Sequence, residues 1–167
     1  NSVGAVSSYN FTNVTENQTI SATFSATAAG PVHNFTKDTY YNTIQKALDD
    51  ADSLGGDTIE VADGTCNESI TFPSDKKIIL QSVSGNHDNV IIQGANGSAT
   101  VTTNGSSTGT TLRGFTITHT GGNTGRGIYI GSGNLIVDNC IISSNIASRS
   151  GGGICNWSGT LTITSST

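Results

Sequence analysis

The chain has 167 residues, of which only 11% are charged, with 21 glycines and a net charge of −5. Its seven basic residues are scattered, which excludes sequence-independent nucleic-acid binding because that requires clustered Lys and Arg. No apolar run approaches the roughly 20 residues of a membrane helix, so we expect no membrane span in this chain. Thr, Ser, Asn and Gly alternate with Ile, Val and Leu, which predicts an all-β protein.

The pattern of residues 1–26 predicts a β-hairpin, because a turn at Glu16-Asn17 precedes a run of alternating polar and apolar residues, Thr19–Phe24. The stretch Gly4–Phe24 resembles the closing hairpin of small β-rich repeats found in tandem in prokaryotic cell-surface proteins. The resemblance implies either the end of a surface repeat or an arm for assembly. An isolated hairpin is marginal in water, so we expect it to pack on the body or on a neighbouring molecule. The residues expected to do so are Thr19, Ile20, Ala22 and Phe24.

Residues 27–37 predict a linker, since Ala-Gly-Pro occupies positions 29–31. A helix is predicted over about 42–54, with Asn42 and Gln45 as a capping box and Gly55-Gly56 as its stop. One face of this helix is apolar, and we expect it to cap the open end of a stack. The apolar positions are Tyr41, Ile44, Ala47, Leu48, Ala51 and Leu54.

Short strands are predicted from Asp57 onward, over 58–61, 69–72, 77–81, 89–93 and 99–102, with a turn at Asp63-Gly64. A repeat then begins: Gly127–Leu135 aligns with Gly153–Leu161 at a period of 26, and Phe115–Ile117 aligns with Cys140–Ile142 at a period of 25. A period of about 20 to 50 residues indicates stacked units. A parallel β-helix explains it, because each turn of the coil lies on the previous one.

The segments Tyr41–Ala51, Gly56–Thr65 and Ile78–Ser82 resemble the start of a right-handed parallel β-helix of the pectin-lyase-like superfamily, in the style of prokaryotic surface proteins. The resemblance covers residues 38–167 and implies a right-handed coil capped by its first helix. Cys66 departs from the family pattern, which usually has Tyr there. Enzymes of this superfamily use convergent charges, either carboxylates that hold calcium with a basic residue or a group of aspartates.

Few charges converge in this sequence. The repeat places Arg113 beside Asp138 on successive coils, either as a proton acceptor beside a calcium ligand or, as we favour, as a cross-coil ion pair. His119 is expected in a solvated turn. Asp63 with Glu68 is the candidate calcium site, although the Asp-Gly pair is also typical of a turn. We therefore predict no catalytic residues, and calcium is the one cofactor that stays open.

Tyr129 and Trp157 are the aromatic residues best placed to stack on a sugar ring, which defines a candidate saccharide site. Among the cysteines, Cys140 occupies the inward position of Phe115 and is expected to be buried, whereas Cys155 is expected to point outward. A Cys140–Cys155 disulfide is the alternative. Eight Asn-x-Ser/Thr triplets favour an extracellular, glycosylated chain. Their asparagines are Asn10, Asn13, Asn17, Asn34, Asn67, Asn96, Asn104 and Asn156.

The leading hypothesis is a non-catalytic module of an extracellular, adhesin-like surface protein that acts as a structural scaffold. The strand that contains Leu161 and Ile163 should expose unpaired backbone and an apolar cross-section, which is a template for another chain. We therefore expect a homo-oligomer that associates end to end into a fibre or sheath, since a head-to-tail contact that does not close gives a filament. The alternatives are a polysaccharide lyase or hydrolase and a saccharide-binding β-helix domain, with glycans as partners.

Overall fold

The computed structural model describes residues 30–52, 56–95, 97–105, 109–120, 125–148 and 150–167. The predicted hairpin lies outside these residues, as do its proposed assembly positions Thr19, Ile20, Ala22 and Phe24.

The described chain is a parallel β-helix with one α-helix, as the sequence predicts. Its elements are β1 (Val32–Asn34), β2 (Thr39–Tyr41), α1 (Ile44–Asp50), β3 (Asp57–Val61), β4 (Gly64–Cys66), β5 (Ile70–Phe72), β6 (Ile78–Ser82), β7 (Val90–Gly94), β8 (Val101–Thr103), β9 (Thr110–Arg113), β10 (Thr116–His119), β11 (Ile128–Ile130), β12 (Asn134–Asp138), β13 (Ile141–Ile142), β14 (Ile154–Asn156) and β15 (Thr160–Thr164). Three sheets run along the described chain. Sheet A has seven strands in the order β15-β12-β9-β6-β3-β1-β2, sheet B has the order β13-β10-β7-β4, and sheet C has the order β14-β11-β8-β5.

The pairing register confirms the predicted repeat. Ile128 pairs with Ile154, a shift of 26 residues, and Thr116 pairs with Ile141, a shift of 25. Every described strand pair from β3 onward is parallel. Because equivalent residues stack at one strand spacing, about 4.8 Å, each side of the coil carries columns of side chains.

The core consists of the inward columns. In sheet A, one such column is completely buried over four coils and consists of Ile59, Leu80, Leu112 and Val137. Full burial of each such side chain contributes about 1.5 to 3 kcal/mol. Cys140 is buried as expected, in the column position that Phe115 holds one coil earlier.

Helix α1 caps the first coil, and buries Ile44, Ala47 and Leu48 against it. It is shorter than predicted and begins differently. The N-cap residue is Thr43 rather than Asn42, and Thr43 Oγ1 accepts a hydrogen bond from Lys46 N at 3.3 Å. The side chain of Gln45 makes two hydrogen bonds with the backbone of Thr71, donating to its carbonyl oxygen at 3.1 Å and accepting from its amide at 2.7 Å, and its Nε2 also donates to Asp49 Oδ1 at 2.8 Å.

Two predicted connections are strands instead. Strand β1 lies within the predicted linker 27–37 and pairs antiparallel with β3. Buried Asn34 donates a hydrogen bond to buried Asp57 at 2.8 Å. The two residues are 23 positions apart, so a local sequence pattern does not predict this contact. Strand β4 extends from the predicted Asp63-Gly64 turn, and its Gly64–Cys66 backbone pairs with β7. Within the described residues, no helix has the length and apolar character needed to cross a membrane.

Candidate assembly surface

A column of outward polar side chains runs across sheet A. It consists of Glu60, Gln81, Arg113, Asp138 and Thr164, one residue from each of five consecutive coils. Hydrogen bonds join three of the four neighbouring pairs in this polar column. Gln81 Nε2 donates to Glu60 Oε1 at 3.0 Å, Arg113 Nε donates to Asp138 Oδ2 at 2.8 Å, and Thr164 Oγ1 donates to Asp138 Oδ1 at 2.7 Å. The predicted proximity of Arg113 and Asp138 is confirmed.

The environment of Asp138 is that of a structural ion pair. The hydrogen bond from Thr164, reinforced by the Arg113 guanidinium, holds the pKa of the Asp138 carboxyl below its ordinary value. A general acid would need a raised pKa, because it must be protonated near neutral pH. Like cross-strand pairs in other sheets, the polar column therefore holds neighbouring coils of sheet A in register.

The two candidate calcium ligands have different partners. Glu68 accepts hydrogen bonds from Ile44 N at 2.9 Å and Gln45 N at 3.1 Å, so its carboxylate closes the exposed amides at the start of α1. Asp63 accepts from Asn89 Nδ2 at 3.2 Å on the next coil. The described residues hold no group of three or more His, Cys, Asp or Glu side chains arranged to bind a metal ion.

His119 does not lie in a solvated turn, and that prediction is wrong. Strand β10 continues to His119, which pairs with Gly94 and is only 8% exposed. Its Nε2 lies 2.5 Å from the carbonyl oxygen of Ala95. Room for the imidazole ring comes from Gly125, where an added Cβ would overlap the ring.

The candidate saccharide residues lie on neighbouring coils of sheet C. Tyr129 is half-buried on β11, and the Arg126 guanidinium carbon lies 5.5 Å from the centre of its ring. Trp157 follows β14, and its side chain is 78% exposed, while its backbone amide donates to the Ile130 carbonyl at 2.8 Å. Arg126 already occupies one contact of the tyrosine ring, so the tryptophan presents the larger open aromatic surface.

The candidate glycosylation sites differ in accessibility. Asn34 is fully buried and its side-chain amide donates to Asp57, so the folded chain does not expose it for glycosylation. Asn67 and Asn104 are exposed, and so is Asn156, whose amide donates to Gly159 O in its own turn at 2.9 Å. The remaining candidates lie outside the described residues; they are Asn10, Asn13, Asn17 and Asn96.

All three cysteines are free, so the Cys140–Cys155 disulfide alternative is wrong. Cys140 Sγ instead lies 3.3 Å from the carbonyl oxygen of Asp138. Burial raises the pKa of the Cys140 thiol, and burial also raises that of Cys66.

The coil formed by β13, β14 and β15 exposes inward positions. Leu161 stacks on Leu135 and Ile163 stacks on Val137, both of which are buried one coil earlier. Ile163 is 49% exposed, because no described strand covers the outer edge of β15. Two further inward residues of this coil, Ile142 and Ile154, are only partly buried. We refer to Ile142, Ile154, Leu161, Ile163 and the free edge of β15 as the open coil face.

Strands β2 and β15 are the two edges of sheet A among the described residues. Strand β1 is antiparallel to both β2 and β3, so β2 runs in the same direction as β3. The pairs from β3 to β15 are all parallel, and therefore β2 and β15 run in the same direction.

The two halves of the sequence carry opposite charge. Residues 1–95 contain eleven acidic and four basic residues, a net charge of −7, whereas residues 96–167 contain one acidic and three basic residues, a net charge of +2. Asp49 and Asp50 are exposed on α1 at the capped end. No family model, curated protein or solved structure matches the chain.

Proposed function

We propose that the chain is a non-catalytic scaffold module of an extracellular, adhesin-like surface protein, and that its copies stack head to tail. The observation that carries the proposal is the common direction of β2 and β15, the two edges of sheet A. The resemblance to right-handed pectin-lyase-like coils supports the same assignment, since such coils stack unit on unit.

Head-to-tail stacking continues the sheet without reversing it. A second copy would place its β2 beside β15 of the first, parallel to it, and cover Leu161 and Ile163. This contact does not close on itself, so repetition gives a fibre. The negative first half and the positive second half favour this polarity over a tail-to-tail contact, because opposite charges then meet at each junction.

The outward surface of sheet A also suits a scaffold. Beside the polar column, a second outward column alternates threonine and isoleucine from coil to coil: Thr58, Ile79, Thr111, Ile136 and Thr162. The charges of Arg113 and Asp138 are paired across coils. These contacts connect neighbouring coils and so favour a load-bearing role.

The test compares two substitutions at exposed apolar residues. Ile163→Lys places a charge in the open coil face, whereas Val83→Lys alters a side chain that is 61% exposed in the bend after β6. We expect the wild-type chain and the Val83 variant to form filaments with rising concentration, seen by light scattering and negative-stain imaging. The Ile163 variant should stay monomeric. A wild-type chain that stays monomeric at its highest soluble concentration would contradict the proposal.

A saccharide-binding domain, or a polysaccharide lyase or hydrolase, is the second candidate, favoured by the open aromatic surface of Trp157 beside the Tyr129 coil. Trp157 is the single tryptophan of the chain, so its fluorescence reports on this place alone. A saturable fluorescence change with glycans would support binding. Release of unsaturated or reducing ends from acidic or neutral polysaccharides, with calcium added, would support an enzyme and overturn the scaffold proposal.

A further inference from the structure

A small polar cleft lies between sheets B and C. Its volume is about 160 Å³. Three successive coils contribute a pair of residues each, from the connections that follow β7, β10 and β13. The lining residues are Gly97, Ser98, Gly125, Arg126, Ala147 and Ser148. The volume equals that of about five waters in the liquid, which suits one small ion with part of its hydration.

Arg126 supplies the charge of this cleft. Its side chain is half-buried and, among the described residues, its hydrogen bonds go to Ser150, from Nε to the carbonyl oxygen and from Nη2 to Oγ, both at 3.2 Å. The centre of the Tyr129 ring lies 5.5 Å from its guanidinium carbon. These described partners are neutral and do not compensate the positive charge.

No carboxylate balances Arg126 within the described part of the chain. The ion pairs there join other residues, and Asp138, the single acidic residue after position 95, is engaged by Arg113. Glu16 is the one acidic residue outside the described ranges. A partly desolvated guanidinium without a counterion favours the approach of an anion, even in a protein of negative net charge.

We propose that this cleft binds a tetrahedral oxyanion, namely a sulfate or phosphate group. The planar guanidinium of Arg126 presents donors in a fork that fits two oxygens of such a group. Ser98 and Ser148, exposed on the coils on either side, supply hydroxyl donors. The source is either the free inorganic ion or an ester of it on a saccharide, and both present the same chemistry to the cleft. This proposal does not depend on end-to-end assembly.

The test titrates inorganic sulfate and inorganic phosphate into the whole chain, with chloride exchanged to keep the ionic strength constant. Amide signals in nuclear magnetic resonance spectra report the binding. We expect saturable shifts at Ser98, Gly125 and Ser148. Arg126→Gln should weaken binding by about tenfold or more, as for the loss of a hydrogen bond to a charged group. Arg126→Lys keeps the positive charge but lacks the paired donors of the guanidinium, so its affinity should lie between those of the wild-type chain and the Arg126→Gln variant.

Arg113→Gln is the matched control, because it removes the same charge at the paired arginine of sheet A. Its affinity for either anion should equal that of the wild-type chain, and circular dichroism should show that all variants fold alike. Equal losses in the Arg113 and Arg126 variants, or shifts that do not saturate, would overturn the proposal. The last measurement compares a sulfated and a phosphorylated monosaccharide with the corresponding inorganic ions. If the monosaccharide binds more tightly than the ion, the natural ligand is an ester. If the two bind equally, it is the free ion.

Discussion

Arg113 and Asp138 lie directly opposite each other on neighbouring coils, with Nε and Oδ2 2.8 Å apart, although 25 residues separate them in the chain. Asp138 also accepts from Thr164, so one carboxylate connects three consecutive coils.

Asp138→Asn should lower the free energy of unfolding by up to about 1 kcal/mol at neutral pH, as for other partly exposed ion pairs. The pKa of Asp138 is lowered from its ordinary 3.8 in the folded chain, by Thr164 first and then by Arg113. The contribution is therefore fully present above that value and is lost as the pH falls through the folded pKa. Urea unfolding at a series of pH values should show the variant and the wild-type chain converging in acid.

Asp75→Asn is the control for this measurement, because Asp75 is exposed and makes no hydrogen bond or ion pair with another described residue. A loss of stability in the Asp138 variant that persists unchanged into acid would contradict an electrostatic origin.

Glu68→Ala should destabilise the chain by about 1 to 3 kcal/mol, because it leaves the amides of Ile44 and Gln45 without an acceptor at a partly buried helix start. Glu68→Gln retains one acceptor oxygen and should lose less. Urea unfolding measures both changes. Equal losses in the two variants would indicate that packing, rather than capping of α1, gives Glu68 its effect.

Gly125→Ala should cost about 1 to 3 kcal/mol, because the new methyl group would overlap the His119 ring. Gly153→Ala is the matched control, since a Cβ there would meet its nearest atom, of Ile142, at an ordinary 3.6 Å. His119→Ala makes room for the methyl group. In a double-mutant cycle followed by thermal unfolding, Gly125→Ala should therefore cost less in the His119→Ala background than in the wild-type chain, and strict additivity would contradict the contact.

The three thiols should differ in their rate of alkylation. The thiolate is the reactive form, and burial raises the pKa of Cys140 and of Cys66. Cys155 lies on β14 of the open coil and is only partly buried. We expect iodoacetamide to modify Cys155 first and Cys140 last at mildly alkaline pH, measured by peptide mass spectrometry. Early modification of Cys140 would show that the core opens more readily than its packing implies.

The repeat in the sequence was enough to predict which residues face inward in the later coils. Cys140 and the Arg113–Asp138 pair follow from the 25-residue offset between their two coils, because equivalent residues of successive coils must stack. Strand β1 does not follow, since its place depends on Asn34 reaching Asp57 across the fold. His119 was misplaced for a similar reason: its burial depends on Gly125 in the next connection, and a strand pattern carries no information about that neighbour.

The candidate assembly surface was predicted in part. The period identified Leu161 and Ile163 as inward residues, but the common direction of β2 and β15 depends on the antiparallel turn-back of β1, which the sequence presents as a linker. The Arg126 cleft was not predicted, because its lining comes from three connections whose glycines and serines read only as turns.

The open coil face also bears on the local stability of the described coils. In a stack, each coil is stabilised by its own packing and by the coils on either side. The coil of β13 to β15 has a described neighbour on one side only, whereas the coil that begins with β3 lies beneath α1. Among the described coils, we therefore expect amide hydrogen exchange to be fastest in the coil of β13 to β15 and slowest in the inner coils, which have neighbours on both sides.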